Sequence, residues 1–211
     1  MPADPSRPLP LTPIGAVILA AGGGSRFAGP AYKLTARLGD GSTLAGRAAR
    51  TALDAGVGPV AVVVGAVAVG DLGLPDEVTV LVNERWADGQ STSLAHGVAW
   101  ARTEGFRAIV IGLGDQPGLT TGAWTAVAAA DTTPIATATY AGRRAHPVRL
   151  GAEVWDELAV DGDEGARTLM RVRPDLVTEV PGDGDPTDID TVEDLAAWTF
   201  GADRGASGPR G

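Results

Sequence analysis

Residues 14–24 read Ile14-Gly15-Ala16-Val17-Ile18-Leu19-Ala20-Ala21-Gly22-Gly23-Gly24. A continuous apolar run breaks into three consecutive glycines. Apolar residues at every position, not every second one, suit a strand buried on both faces, as in a parallel sheet covered by helices. Runs of the same kind recur at 60–64 (VAVVV), 78–82 (VTVLV), 108–111 (AIVI), 134–140 (PIATATY) and 177–180. Helical patterns fall between them at 42–55, 91–102, 121–130 and 191–198. The first follows Ser/Thr capping signals and stops at Gly56, and the last opens Thr191-Val192-Glu193-Asp194, a cap followed by acids. Strands alternating with helices predict a three-layer α/β domain with a mostly parallel sheet. In such sheets the ligand site lies just past the carboxyl ends of the strands.

The rest of the composition bounds the function. The chain has 211 residues, 26 acidic and 17 basic side chains, a net charge of −9 and no cysteine. Its length fits one domain, with residues 1–12 expected as a flexible lead-in, 13–200 as the folded domain and 201–211 as a disordered tail. The absence of cysteine excludes disulfides, cysteine–zinc sites, iron–sulfur clusters and cysteine nucleophiles. The acidic balance argues against nucleic-acid partners. No apolar run reaches the roughly 18–20 residues of a membrane span, and no signal-peptide core opens the chain, so a cytoplasmic location is expected. Sixteen basic residues are Arg and one, Lys33, is Lys. Coding bias accounts for the preponderance of Arg; it leaves open what the one ammonium does.

The strand ends supply candidates. Gly22, Gly23 and Gly24 let the backbone turn tightly and aim several N–H groups at one anion, and Arg26 and Lys33 follow as cations. A P-loop is excluded because Pro30 follows Gly24-x4-Gly29, and a dinucleotide fingerprint because Phe27 stands where its third glycine belongs. Asp115 follows the fourth strand, and Asp188 and Asp190 lie on one side of a short extended piece. Asp115 with Asp190 would suit Mg²⁺, which takes one or two carboxylates and fills its other positions with water and phosphate oxygens. The alternative is structural: Asp115 opening a turn, Asp190 capping the next helix. His96 fits a packing role, and His146, held extended by Pro147, fits a turn or a ligand contact equally. Trp86, Trp100, Trp124, Trp155 and Trp198 are expected in the core or between helices.

Five motifs occur in order: Leu19-Ala20-Ala21-Gly22-x-x-Ser25-Arg26-Phe27 with Lys33, Gly114-Asp115-Gln116-Pro117, Ala145-His146-Pro147-Val148, Gly162-Asp163-x-Gly165-Ala166-Arg167, and Asp188-Ile189-Asp190-Thr191-x-Glu193-Asp194. Together they resemble the nucleotidyltransferases of molybdenum cofactor biosynthesis, a MobA-like superfamily, and within it the molybdenum cofactor cytidylyltransferase (MocA-like) branch. The resemblance implies a Rossmann-like nucleotide-diphospho-sugar-transferase fold and Mg²⁺-dependent transfer of CMP from CTP to molybdopterin, with release of pyrophosphate. It implies that Lys33, Arg26 and Asp115 serve catalysis. It implies that Leu19, Ala20, Ala21, Gly22, Gly23, Gly24, Ser25, Arg26, Lys33, Gly89, Ser91, Ser93 and Gly114 hold the nucleotide. His146, Asp163, Gly165 and Arg167 would face the acceptor, and Asp115 and Asp190 the metal. A molybdoenzyme or its chaperone would receive the product. The guanylyl branch usually has Leu-Ala-Gly-Gly where Leu19-Ala20-Ala21-Gly22 stands, which favours CTP. Alternatives on the same fold are an NAD(P)H-dependent reductase of a quinone-like aromatic, a nucleotide-binding chaperone that hands a modified cofactor to a partner enzyme, and nucleotidyl transfer to another phosphorylated small molecule. The second strand ends Val64-Gly65-Ala66 without an acid for a ribose, which speaks against the reductase.

Overall fold

The computed structural model describes residues 13–24, 27–28, 32–159 and 162–205. Seven strands form one sheet. They are β1 Ile14–Ala20, β2 Val60–Val64, β3 Thr79–Val82, β4 Ala108–Leu113, β5 Ile135–Tyr140, β6 Arg143–Gly151 and β7 Val177–Pro181. The order across the sheet is β3-β2-β1-β4-β6-β5-β7, and only β6 runs against its neighbours. The sheet is therefore mostly parallel, as its continuous apolar runs require.

Alternate residues of β1 show why the sheet needs two helical layers. Ala16, Ile18 and Ala20 pack with α1 (Leu44–Asp54) and α3 (Thr121–Ala129), including the fully buried Trp124. Val17 and Ala21 face the other way, against α2 (Gln90–Glu104) and the short α4 (Arg167–Val172). The fold is a three-layer Rossmann-like α/β/α sandwich. Thr43 caps α1 by accepting from Gly46 N at 2.9 Å, and Thr120 caps α3 by accepting from Ala123 N at 3.1 Å.

The order of strands creates the cleft. From β1 the chain proceeds outward to β2 on one side, and the later strands build on β4 on the other. The crevice past the ends of β1 and β4 is such a switch point. The sheet also splits there. β4 pairs with β6 only as far as Ile111–Val148, and the β5–β6 register slips between Thr137–Val148 and Ala138–Ala145. The slip leaves His146 and Pro147 out of the ladder. Proline has no N–H for a ladder, so a bulge is where it is tolerated. Tyr140 Oη donates to His146 O at 3.0 Å and steadies the bulge. Burial, then the charges of Asp183 and Asp185, push the Tyr140 phenol up to about 12, so it remains a donor.

Two readings of the sequence change. β6 is a strand where none was expected. The last helix, α5, runs Val192–Gly205, so residues 201–205 of the expected tail are helical. Residues 1–12 and 206–211 lie outside the described residues.

Candidate active site

The site is built by backbone contacts between segments distant in sequence. Gly114 N donates to Leu19 O at 2.9 Å, aligning the ends of β4 and β1. Gly114 itself packs against Ala20 and Leu34, so it is a spacer behind the cleft and not part of its wall. Past it, Asp115 O accepts from Ile189 N at 3.0 Å. Ile189 is fully buried beside Leu38 and Leu44, with α5 residues Leu195 and Trp198 packed around them. That anchor fixes Asp188 and Asp190 on either side of it. Gln116 adds a second tie, donating from Nε2 to Pro186 O at 3.0 Å and Asp188 Oδ1 at 2.8 Å.

Lys33 opens a short 3₁₀ turn, Lys33–Thr35. Gly24 sits at φ +62°, and a Cβ there would lie 2.7 Å from Lys33 Cβ. Only glycine accommodates both the left-handed backbone and the lysine stem. The Lys33 Nζ reaches Asp115 Oδ2 and Asp190 Oδ1, at 2.6 Å each. Burial acts to discharge this amine; Asp115 and Asp190 more than reverse that, and its pKa is held above the ordinary lysine value. Asp188 is also perturbed. Burial, then the negative charge of Asp115, holds its carboxyl above the usual carboxylate range.

The structural roles considered for the two aspartates go to other groups. Thr191 caps α5, its Oγ1 accepting from Asp194 N at 3.1 Å while Asp194 Oδ2 accepts from Thr191 N at 2.8 Å. Asp190 is thereby not the cap, and its Oδ1 accepts from Lys33 Nζ. Asp115 Oδ1 is buried and has no hydrogen-bond partner among the described residues, so it does not serve the turn.

Two cavities meet beside this cluster, sharing Leu19 and Gln90 in their walls. The smaller, about 310 Å³, is lined by Leu19, Ala20, Ala21, Gly22, Gly23 and Gly24, together with Lys33, Asp115, Gly89 and Ser93. The larger, about 600 Å³, has an apolar floor including Leu94, Ile111 and Val148, with polar groups His146, Arg167, Gln116 and Asp188. Gly165 also lines it.

Other expected site residues fall elsewhere. Ser91 is fully buried; its Oγ accepts from Gly165 N at 3.2 Å and its N donates to Gly162 O at 2.9 Å. It pins the 162–165 loop onto the start of α2. Asp163, expected toward the acceptor, lines the smaller cavity. Ser25 and Arg26 lie outside the described residues. His96 stays local, its Nδ1 2.9 Å from Thr92 O.

Sequence reasoning missed Trp86 and Asn83, and it gave Gln90 and Gln116 no role of their own. Trp86 is 36% exposed and lines the smaller cavity, unlike the buried Trp100, Trp124 and Trp155. Its indole lies over Gly65, where a Cβ would come within 2.7 Å of Trp86 Cβ and Cγ. Asn83 holds the Trp86 turn. It is fully buried, donates from Nδ2 to Thr92 Oγ1 at 2.9 Å and Ser93 Oγ at 3.0 Å, and accepts from Arg85 N at 2.9 Å. Asn83 directly follows β3, so the strand-end rule applied there would have found it.

Burial, and then the charge of Arg167, lowers the His146 imidazole from 6.5 to about 4. Folded protein thus refuses a proton that the unfolded chain accepts. Stability is expected to be full above pH 6.5 and to fall as pH drops toward 4, by up to roughly 3 kcal/mol from this group. His146→Phe should flatten that part of the unfolding free-energy profile; parallel profiles for variant and wild type would contradict it.

The description of one family, the MobA-like NTP transferase domain, matches residues 16–179. Among solved structures, a homologue of Mycobacterium tuberculosis Rv0371c from Mycobacterium sp. strain JC1 is 30% identical, with TM-score 0.78 over 90% of this chain and 97% of that one. Rv0371c from Mycobacterium tuberculosis H37Rv in complex with manganese is 28% identical, with TM-score 0.73 over 90% and 99%. A nucleotidyl transferase from Methanothermobacter is 25% identical, with TM-score 0.76 over 91% and 98%. No curated protein matches the sequence.

Proposed function

The chain belongs to the MobA-like NTP transferase family, and on that footing we propose that it transfers CMP from CTP to the terminal phosphate of molybdopterin, releasing pyrophosphate. The observation that carries this reading is the junction of the two cavities at Lys33, Asp115 and Asp188. A donor in the smaller cavity and an acceptor in the larger would meet beside one ammonium and several carboxylates.

The cavity sizes favour a bulky acceptor. A chamber of about 600 Å³ with an apolar floor suits a fused heterocycle bearing a phosphate better than a small phospho-acid. The Leu19-Ala20-Ala21-Gly22 sequence supports cytosine over guanine as the base, because Ala21, in the wall of the smaller cavity, adds a methyl group where the guanylyl branch has glycine.

A divalent cation fits the residues present. Among the described residues no cluster of three or more His, Cys, Asp or Glu forms a metal cage. One or two carboxylates suit Mg²⁺, and the buried Asp115 Oδ1, without a partner among the described residues, is an oxygen that can take a cation or donor. Asp115 and Asp190 would hold it, and when bound it would neutralise charge on the triphosphate.

In the reaction an oxygen of the acceptor phosphate bonds to the α-phosphorus of CTP as the bond to the β-phosphate oxygen breaks. The electron pair leaves with pyrophosphate. The acceptor is already ionised at neutral pH, so no side chain needs to remove a proton. The protein's work is positioning and charge neutralisation. The N–H groups of Gly22–Gly24 face the phosphates, and Lys33 supplies a compact positive charge to oxygens whose positions shift as the bond breaks. His146, neutral at pH 7, and Arg167 line the acceptor side.

Incubation with each nucleoside triphosphate, Mg²⁺ and molybdopterin tests the reading. Pyrophosphate is expected with CTP and at least tenfold more slowly with the others. Silence with every triphosphate, together with NAD(P)H oxidation by a quinone, would overturn it.

A further inference from the structure

Lys33 does not point at the glycine loop. Its Nζ stands between Asp115 Oδ2 and Asp190 Oδ1, 2.6 Å from each. These are the two carboxylates that the functional reading assigns to a divalent cation. An ammonium and a divalent cation cannot both sit between the same oxygens, because full like charges would be in contact in a partly buried site.

We propose that the site takes its divalent cation only together with a nucleoside triphosphate, because Lys33 is a tethered counter-ion that holds the cation's place between Asp115 and Asp190 until phosphate oxygens draw its ammonium away. The proposal rests on reading those two aspartates as metal ligands. In the nucleotide-free protein Lys33 thus keeps the free metal out of the space between the two carboxylates.

Three features make the exchange possible. The root of Lys33 is fixed beside the loop, with Gly24 leaving just enough room for its Cβ. The stem beyond is a flexible four-carbon chain, so Nζ can reach the carboxylates or the loop from one fixed point. Asp115 Oδ1, buried and without a partner among the described residues, keeps acceptor capacity that Lys33 does not use. The exchange also keeps the site's charge in step. Lys33 leaves two carboxylates that gain a metal and meets phosphates that have lost their solvent. This gives the lone lysine a reason to differ from the sixteen arginines. A planar guanidinium would grip one carboxylate through a fixed fork and lack a single mobile point charge.

Mn²⁺ alone is the probe, titrated into nucleotide-free full-length protein and followed by the paramagnetic resonance signal of the free ion. Wild type is expected to bind weakly, and Lys33→Met at least tenfold more tightly. Adding Asp115→Asn to Lys33→Met should abolish the gain. Lys33→Gln keeps a neutral donor at this position and serves if the Met variant does not fold; the same tightening is expected. Equal Mn²⁺ affinity in wild type and both Lys33 variants would overturn the proposal, as would tight binding by nucleotide-free wild type. Equilibrium dialysis of labelled CTP with Mn²⁺ separates the two claims. If CTP binds wild type while the Lys33 variants gain nothing, the counter-ion role falls and the nucleotidyl-transfer reading stands. If CTP does not bind wild type at all, both fall.

Discussion

Lys33→Ala is expected to lower the turnover of nucleotidyl transfer by roughly 10²–10³-fold, the usual effect of deleting one preorganised charge or donor aimed at developing negative charge. The loss should fall on kcat more than on KM, since the charge on the leaving pyrophosphate grows only as the bond breaks. The variant also removes the ammonium that bridges Asp115 and Asp190. Their side chains are 20% and 38% exposed, so water relieves part of that repulsion, and the folded state should survive with a lowered melting temperature. Lys33→Arg separates charge from shape. It retains a cation but exchanges a mobile point charge for a planar fork, and is expected to lose most of the same activity. A near-normal rate in Lys33→Arg would show that the compact ammonium has no special part.

Asp115→Asn is expected to cost a similar factor, about 10³, because it removes one negative charge from the pair that Lys33 bridges and that a divalent cation would use, a site worth several kcal/mol of charge stabilisation. Asparagine matches the shape, so circular dichroism and melting should change little while initial-rate kinetics collapse. Asp188→Asn is the internal comparison. Asp188 Oδ1 accepts from Gln116, a bond that an asparagine carbonyl can also accept, so a loss of tenfold or less is expected. Equal losses at the two positions would place Asp188 in the reaction alongside Asp115.

Much of the fold was legible because its central strands are covered on both faces. β1 and β2 carry almost unbroken Val, Ile, Leu and Ala, and their boundaries follow from that run alone. β6 was not legible. Arg143, Arg144, His146, Pro147 and Arg149 break the apolar pattern, yet Arg149 is buried and the strand pairs on both edges. Its polar residues bracket the register slip that opens the larger cavity, so the segment that least resembles a strand is where the sheet parts. The short α4 had too few turns to show a period.

The site was legible as separate residues and not as contacts. Glycines, Lys33, Asp115 and Asp190 follow from looking past strand ends. That Lys33 lies between the two aspartates depends on a backbone bond from Ile189 to Asp115 and spans 157 residues of chain. No local pattern encodes it. Ser91 was assigned to the nucleotide by resemblance alone; its contact with the 162–165 loop spans distant segments and has no local signal. Trp86 misled because an indole reads as core unless its neighbours are known, and here glycine at position 65 leaves it room at the rim.

In the proposed reaction the α-phosphate of CTP passes to a phosphorylated heterocycle. The direct measurement uses CTP labelled with ³²P at the α-position, with Mg²⁺ and molybdopterin, followed by separation of the products and mass determination of the labelled species. Label is expected in a cytosine dinucleotide of the acceptor, in one-to-one ratio with pyrophosphate. Label appearing only as free CMP, or remaining in CTP while molybdopterin is recovered unchanged, would contradict it.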